Sequence, residues 1–195
     1  MTLEERIGRL EDIEAIRHLQ ARYQRLLDSR DFDGLAACFS EDAVSSYGNG
    51  KMSYKGRDEI IKFLCSVMTL NMPSTHLIHG GEIDWIDSTK ATGIWYLEDH
   101  LIHQKYQMIL HGAAIYHVEY KKIDTTWYIS SIGYERCYEY MRPRGLFNLF
   151  TLKNKTILKK VKEANPETLG EYGQYFQYEI LKKKKSSKNN NKKEQ

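Results

Sequence analysis

ATGIWYLEDHLIH, residues Ala91–His103, carries the clearest secondary-structure pattern of the chain. β-Branched and aromatic side chains dominate it and alternate along it, a pattern typical of a long strand with two distinct faces. One face carries Trp95, Leu97, Asp99 and Leu101. A carboxylate between two leucines is unusual, because burying a charge costs several kcal/mol unless the charge is paired. Asp99 is therefore predicted to have a partner inside the protein.

The nearest candidate partner is His76, one predicted strand earlier in STHLIHGGEIDWID. A buried aspartate that is hydrogen-bonded to an imidazole is a standard way to make a general base. The sequence therefore predicts that His76 and Asp99 form such a pair. The alternative is that His76 is an ordinary histidine whose hydrogen bonds are satisfied in the core.

The spacing of apolar residues elsewhere predicts helices first and strands afterwards. Apolar side chains recur every three or four residues from Leu3 to Leu26, which predicts one long amphipathic helix. Two more helices are predicted at 31–39 and 57–68, with a hairpin between them at 42–56. Four long strands are predicted to follow, at 76–86, 91–103, 106–122 and 126–142. This order predicts an α+β fold in which a curved, mixed or antiparallel sheet wraps the N-terminal helices.

The chain length of 195 residues suits one domain with an extension. Pro143 marks the predicted end of a domain that spans residues 1–142. Residues 143–181 are predicted to form a helical, tyrosine-rich extension. Residues 182–195 are rich in lysine and asparagine, a composition typical of disorder.

The charge distribution argues against nucleic acid as a partner. The formal net charge is +3, but residues 181–195 alone carry about +6, so the remainder carries about −3. A mildly acidic domain lacks the basic surface typical of nucleic-acid-binding proteins.

Cysteine usage and hydropathy indicate a cytoplasmic protein. Cys38, Cys65 and Cys137 are odd in number and widely spaced, which argues against a disulfide framework and a zinc site. No secretory signal precedes the first helix, and no apolar run approaches the length of about 18 residues that a membrane span needs.

Four further side chains complete the candidate site: Tyr23, Asp28, Tyr47 and Arg136. Each has an alternative role, namely core packing for the two tyrosines and helix capping for Asp28. Arg136 is predicted to share a strand face with Tyr134 and Tyr138. Such a face either forms a surface ladder or binds an anion at the mouth of a cavity.

The sequence offers no support for a metal or a nucleotide cofactor. His76 and His79 would lie on opposite faces of one strand, as would His100 and His103, so neither pair can chelate an ion. Glycine-rich phosphate loops and the Gly-x-Ser-x-Gly elbow are absent. We therefore expect chemistry that side chains perform alone, chiefly proton transfer.

The order of elements resembles the SnoaL-like, nuclear-transport-factor-2-like (NTF2-like) superfamily and, more closely, the bacterial bile-acid 7α-dehydratases. The resemblance covers roughly residues 1–142. It rests on Tyr23 with Asp28 and on MTLEER (1–6), DIEAI (12–16), SYGNGK (46–51), ATGIWYLED (91–99), IDTTWYI (123–129) and GYERCYE (133–139). The segment ATGIWYLED is the most specific of these.

The resemblance implies a cone-shaped fold around an apolar cavity, assembled as a homotrimer. It implies a cofactor-independent dehydratase that eliminates water from a hydroxylated steroid-like or polycyclic ketone. The catalytic positions of that family fall on Tyr23 as acid, His76 as base and Asp99 as the carboxylate that orients it. Asp28 and Arg136 match further important positions, and Arg136 would suit an anionic part of the substrate, such as a CoA thioester.

One departure from the resemblance concerns His111, which stands where asparagine is expected in the bile-acid enzymes. Scytalone dehydratase uses a second histidine in a comparable strand, so His111 is predicted to contact the substrate together with Asp28, Tyr47 and Arg136. Two other functions stay open. One is a ketosteroid-isomerase-like reaction, which needs a base and an oxyanion hole. The other is a non-catalytic binding or assembly module.

Overall fold

The computed structural model of the chain describes residues 1–48 and 50–145. Three helices and six strands follow one another in this part of the chain. They are α1 (Leu3–Ser29), α2 (Phe32–Ala36), β1 (Phe39–Tyr47), β2 (Met52–Lys55), α3 (Arg57–Val67), β3 (Ser74–Asp87), β4 (Lys90–His103), β5 (Met108–Ile123) and β6 (Thr126–Pro143). The helices and strands predicted within residues 1–142 are therefore present, with bounds that differ by a few residues.

Both ends of α1 are built from its own sequence. Thr2 and Glu5 form a capping box, in which each side chain accepts a hydrogen bond from the backbone N–H of the other residue. At the other end Arg30 adopts a left-handed conformation with φ of 60°, which stops the helix. This stop places Asp28 on the last turn of the helix.

The six strands form one mixed sheet in the order β2-β1-β6-β5-β4-β3. The pairing of β1 with β6 is parallel, and the other pairings are antiparallel. The long strands β3 to β6 make the predicted meander, and the sheet curves around the helices without closing. The predicted α+β fold class is confirmed.

The core lies between the helices and the inner face of the sheet. Its largest fully buried hydrophobic side chains come from α1, α2, β1, α3 and the long strands; they are Ile16, Tyr23, Phe32, Leu35, Phe39, Ile60, Ile61, Leu97, Tyr120, Ile129 and Ile132. Asp12 joins α1 to the sheet from the edge of this core. Its carboxylate accepts hydrogen bonds from Lys122 and Trp127 at 2.7 and 2.8 Å.

The apolar stripe of α1 begins nearer the N-terminus than the part of the helix that is buried. Leu3, Ile7 and Leu10 are exposed, and the buried stretch begins at Ile16. Among the described residues no helix is both long and apolar enough to cross a membrane. The predicted extension at 143–181 lies outside the described residues after 145, and the tail at 182–195 lies entirely outside them.

Candidate functional site

A cavity of about 200 Å³ lies between α1, α3 and the inner face of the sheet. Most of its lining is apolar or aromatic, and several of the predicted site residues reach it. The lining residues are Tyr23, Leu27, Tyr47, Met52, Phe63, Leu64, Val67, Met68, Met72, His76, Leu97, Asp99, Leu101, Tyr116, Tyr134 and Arg136. Met52 and Val67 are each 37% exposed and mark where the cavity meets solvent.

Asp28 is the carboxylate that holds His76. The distance between His76 Nδ1 and Asp28 Oδ1 is 2.6 Å, and the backbone N–H of His76 donates to Asp28 Oδ2 at 2.8 Å. The Asp28 carboxylate thus binds both the ring and the backbone of the same residue. With Nδ1–H donating to Asp28, the Nε2 atom of His76 is left as the basic nitrogen.

Two more residues hold Asp28 in place. Ser74 donates from its hydroxyl to Asp28 Oδ1 at 2.7 Å, and Arg30 donates to that hydroxyl at 2.9 Å. Arg30 is buried, and its guanidinium also binds the backbone carbonyls of Leu27, Asp28 and Met72. Burial lowers the pKa of Arg30 to about 10, which leaves it charged at neutral pH. This network fastens the end of α1 to the start of β3.

Asp99 has a different partner from the predicted one. His76 and Asp99 do lie opposite each other on β3 and β4. However, the Asp99 carboxylate binds Arg136 through two parallel hydrogen bonds, from Nη1 at 2.8 Å and from Nη2 at 2.6 Å. Paired, fork-shaped bonds between a guanidinium and a carboxylate are stronger than a single bond to a ring. The prediction that Asp99 orients His76 is wrong, because Arg136 occupies that carboxylate.

Gly112 makes the pairing of Asp99 with Arg136 possible. It lies on β5, between the strands that carry the two charges, and pairs with Asp99 across the sheet. A Cβ atom at this position would lie 2.6 Å from Arg136 Nη1 and 2.9 Å from Asp99 Oδ1. The missing side chain therefore gives Arg136 a path across β5.

The Arg136 guanidinium contacts two carboxylates and an aromatic ring. Besides Asp99, Arg136 binds Glu139 through Nε at 3.2 Å and lies over the Tyr134 ring at 4.9 Å. Burial by itself lowers the pKa of Arg136, but the hydrogen bonds and charge of Asp99 outweigh it and raise the pKa overall. The guanidinium lines the cavity as half of an ion pair, which differs from the predicted open anion clamp.

Three phenols meet deep in the cavity, contributed by Tyr23, Tyr47 and Tyr116. All three are buried. Burial, together with the neighbouring hydroxyls of Tyr47 and Tyr116, raises the pKa of Tyr23, and burial raises the pKa of Tyr47 to about 12. The Tyr47 hydroxyl lies near those of Tyr23 and Ser45 but makes no hydrogen bond of good geometry to any described residue. These phenols stay protonated at neutral pH and can donate to a bound oxygen.

A bulge in β6 separates Tyr138 from its predicted neighbours. Ala114 pairs with Arg136 and Ala113 pairs with Tyr138, so Cys137 is an extra residue on β6. An extra residue reverses the alternation of side chains beyond it. Tyr138 is consequently 52% exposed, so the prediction that it shares a face with Arg136 is wrong.

His111 lies on the opposite face of the sheet from the cavity. Its ring stacks on His100 with centroids 3.9 Å apart, and Nε2 lies 3.0 Å from Glu98 Oε1. The predicted substrate contact at His111 does not occur within this cavity. Five of the predicted site residues thus line one cavity, namely Tyr23, Tyr47, His76, Asp99 and Arg136. Asp28 lies outside the lining, where it holds His76, and His111 is on the other face of the sheet.

Sequence reasoning missed several residues that build the site. Arg30, Ser74, Gly112 and Tyr116 received no role. The strongest sequence signal among them is the glycine, because a glycine within a strand often marks a close approach of another group. The hydrogen bonds of Ser74 and Arg30 depend on how α1 meets β3, and no local pattern carries that information.

Solved structures share this fold at low sequence identity. A protein from Novosphingobium aromaticivorans, provisionally named a scytalone dehydratase, is 22% identical, with 68% of this chain and 89% of that chain covered and a TM-score of 0.64. The hexachlorocyclohexane dehydrochlorinase LinA-type3 from Novosphingobium barchaimii is 21% identical, with 70% and 93% covered and a TM-score of 0.64.

A third similar structure is an NTF2-like protein with a cystatin-like fold from Novosphingobium aromaticivorans. It is 20% identical, with 69% of this chain and 88% of that chain covered and a TM-score of 0.59. These likenesses agree with the predicted cone-shaped fold. Residues 8–132, well over half of the chain, match the family of SnoaL-like domains, and the chain therefore belongs to the SnoaL-like family.

Proposed function

We propose that the protein is a cofactor-independent lyase that removes a proton and a leaving group from a cyclic, hydrophobic substrate. The observation that carries this proposal is His76, held by Asp28 at 2.6 Å at the wall of an apolar cavity. A base of this kind is held by its carboxylate in one tautomer, and the carboxylate stabilises the imidazolium that forms. The reaction needs no group beyond the side chains present.

The substrate class we propose is a hydroxylated steroid-like or polycyclic ketone, as in bile-acid 7α-dehydration. Nε2 of His76 removes a proton that a conjugated carbonyl has made acidic. The electron pair of the C–H bond forms the new double bond, and the C–O bond to the hydroxyl breaks. A phenol of the Tyr23 cluster gives its proton to the departing hydroxyl, which leaves as water. The proton that His76 removed then returns to the phenolate, which restores both groups. General acid–base catalysis of this kind contributes about 10²–10⁴-fold per group.

The size of the cavity limits how the substrate sits. An apolar cavity of about 150 Å³ holds one benzene ring, so a cavity of about 200 Å³ encloses one or two rings. The remainder of a steroid, and any CoA thioester attached to it, would extend through the mouth near Met52 and Val67. Methionines at 52, 68 and 72 line this region, and their flexible side chains adapt to the shape of a ligand.

The leaving group distinguishes this proposal from a related one. LinA-type3 is named a dehydrochlorinase, and elimination of hydrogen chloride uses the same proton removal. The phenol cluster favours an oxygen leaving group here, because a phenol donates a stronger hydrogen bond to oxygen than to chlorine.

We also propose that the protein assembles as a homotrimer.

The test is the ultraviolet absorbance of the purified full chain mixed with a 7α-hydroxy-3-oxo-4-ene bile-acid CoA thioester. Dehydration extends the conjugation and moves the band to longer wavelength. We expect this shift with the natural chain and its loss with His76→Ala. If the band does not move for this thioester, for the free acid or for smaller bicyclic hydroxy-ketones, the dehydratase proposal is rejected.

A further inference from the structure

Four metal-binding side chains converge on the outer face of the sheet, away from the cavity. They come from three neighbouring strands: His79 on β3, Glu98 and His100 on β4, and His111 on β5. We call this group the outer cluster. Glu98 and His100 are two residues apart on one strand, so they share a face, and His111 lies directly opposite His100.

The distances within the outer cluster match those between the ligands of a small metal ion. Glu98 Oε1 lies 3.0 Å from Nε2 of His111 and 3.3 Å from Nε2 of His100. Glu98 Oε2 lies 3.5 Å from Nε2 of His79. A tetrahedral ion with bonds of about 2.0–2.2 Å holds its ligand atoms about 3.3–3.6 Å apart. The spacing of these atoms therefore suits such an ion, and rotation of the stacked His100 and His111 rings would let both Nε2 atoms point at it.

The chemistry of the surroundings also suits a metal. All three rings direct the same atom, Nε2, toward the carboxylate of Glu98. The other nitrogen of His111, Nδ1, lies 2.7 Å from the Tyr140 hydroxyl. Histidines that bind metals usually use their second nitrogen in this way, which fixes the ring orientation.

We propose that the outer cluster binds one divalent transition-metal ion, Zn²⁺ or an ion with similar preferences. Glu98, His100 and His111 form the core of the site, since their ligand atoms all lie within 4.8 Å of one another. His79, whose side chain is 58% exposed and free to turn, supplies the fourth ligand. An ion there joins β3, β4 and β5 and stabilises the fold.

The sequence predicts no metal when histidines are compared within one strand only. His76 and His79 do lie on opposite faces of β3, since His76 lines the cavity and His79 contacts Glu98 on the outer face. The outer cluster instead arises across strands, from the registers that set His100 opposite His111 and Leu77 opposite Glu98. The site is also independent of the proposed lyase reaction, because none of its residues lines the cavity.

The test is titration of the metal-free full chain with ZnCl₂, followed by isothermal calorimetry and by thermal unfolding. The protein carries Cys137→Ser, so that the exposed thiol does not compete for the ion. We expect one ion per chain and a higher unfolding temperature with Zn²⁺. Titration with Co²⁺ should give the visible absorption bands of a tetrahedral site.

Variants then separate a metal site from a hydrogen-bonded cluster. We expect Glu98→Gln and His111→Asn each to weaken Zn²⁺ binding by about 100-fold or more, and Tyr140→Phe by about tenfold through loss of support for the ring. His117→Asn, an exposed histidine further along β5, is the matched control and should bind as before. Circular dichroism checks that each variant is folded. Absence of saturable binding, or equal binding by folded Glu98→Gln, overturns the proposal.

Discussion

The Asp28 carboxylate, on the last turn of α1, binds the His76 ring at 2.6 Å and its backbone N–H at 2.8 Å. A helix end and a strand beginning are thereby joined through one side chain. The arrangement fixes both the position and the tautomer of the ring. Asp28 and Asp99 therefore have different structural roles, since Asp28 holds His76 from outside the cavity lining and Asp99, within that lining, is paired with Arg136.

The first prediction concerns Asp28. Asp28→Asn keeps the shape of the side chain but removes the charge that stabilises the imidazolium of His76. We expect kcat to fall by about 10²–10⁴-fold, because the base loses its tautomer and its counter-charge. Steady-state kinetics with the substrate identified by the absorbance test measures this change. Asp84→Asn, an exposed carboxylate on the same strand as His76, is the control and should leave kcat unchanged.

The second prediction concerns the pairing of Asp99 with Arg136. Arg136→Gln leaves the Asp99 carboxylate buried without its guanidinium. Removing one partner of a buried ion pair costs about 3–5 kcal/mol. We expect a loss of about 3 kcal/mol, at the lower end, because Arg136 is partly exposed. Urea denaturation measures the free energy of unfolding. The double variant Asp99→Asn/Arg136→Gln should recover part of the loss, and purely additive effects would contradict the pairing.

The third prediction concerns the space over Gly112. Gly112→Ala places a Cβ within 3 Å of both Asp99 and Arg136. We expect a destabilisation of about 1–3 kcal/mol, as for other overpacked sites. Gly8→Ala is a matched control, since its Cβ meets no atom within 4 Å and alanine favours the helix there. Equal unfolding free energies for the two variants would show that Arg136 does not cross β5.

The fourth prediction separates activity from stability at Tyr47. Its buried hydroxyl lacks a well-formed partner among the described residues, so Tyr47→Phe removes an unsatisfied group. We expect stability to stay the same or rise while kcat falls. The pKa of Tyr47 is about 12, so its proton is lost only as pH rises toward that value. The kcat of the natural chain should therefore show no decline from Tyr47 between pH 7 and about pH 10.

The fifth prediction concerns acid stability through Asp12. Burial opposes its charged form, but hydrogen bonds from Lys122, Trp127 and Trp85 outweigh burial and lower the pKa of Asp12. A carboxyl group with a lowered pKa in the folded state stabilises the fold above its unfolded pKa, near 4. That contribution is lost as pH falls through the folded value.

We therefore expect Asp12→Asn to lower the free energy of unfolding at pH 7 and to lower it much less at pH 3. Urea denaturation at both pH values measures the difference. Asp84→Asn serves again as the control, because that carboxylate is exposed and should have a small effect at either pH. A deficit of equal size at pH 7 and pH 3 would contradict the account of Asp12.

The strands and helices could be predicted because their causes are local. Alternation along Ala91–His103 indicated β4, and the inward face that it assigned to Asp99 is the one found. Tyr23 and Asp99 were predicted to lie on apolar faces, and both line the cavity. His76 was chosen as the nearest candidate partner of Asp99 and by the family resemblance, and it lines the cavity too. The hydrogen-bond partners of Asp99 and His76 could not be predicted from such patterns. They depended on the missing Cβ of Gly112 and on the turn at Arg30, which act between elements distant in sequence.

The bulge at Cys137 is a second feature that the sequence pattern could not predict. Strict alternation of side chains along a strand cannot reveal an added residue. The sequence pattern therefore placed Tyr138 on the same face as Arg136. The register that reverses Tyr138 also brings it and Tyr140 toward His111. The support that Tyr140 gives the His111 ring could therefore be recognised only after the pairing of β5 with β6 was known.

Glu98 and Asp99 are consecutive residues on β4, and His111 and Gly112 are consecutive on β5. One peptide unit, about 3.8 Å between α-carbons, separates the outer surface from the cavity wall at both places. Labels, affinity tags or crystallisation mutations attached at this patch would thus act on the backbone that carries the cavity's ion pair. Surface engineering of the protein is safer at Glu59 or Lys62 on α3, whose side chains are exposed and do not line the cavity.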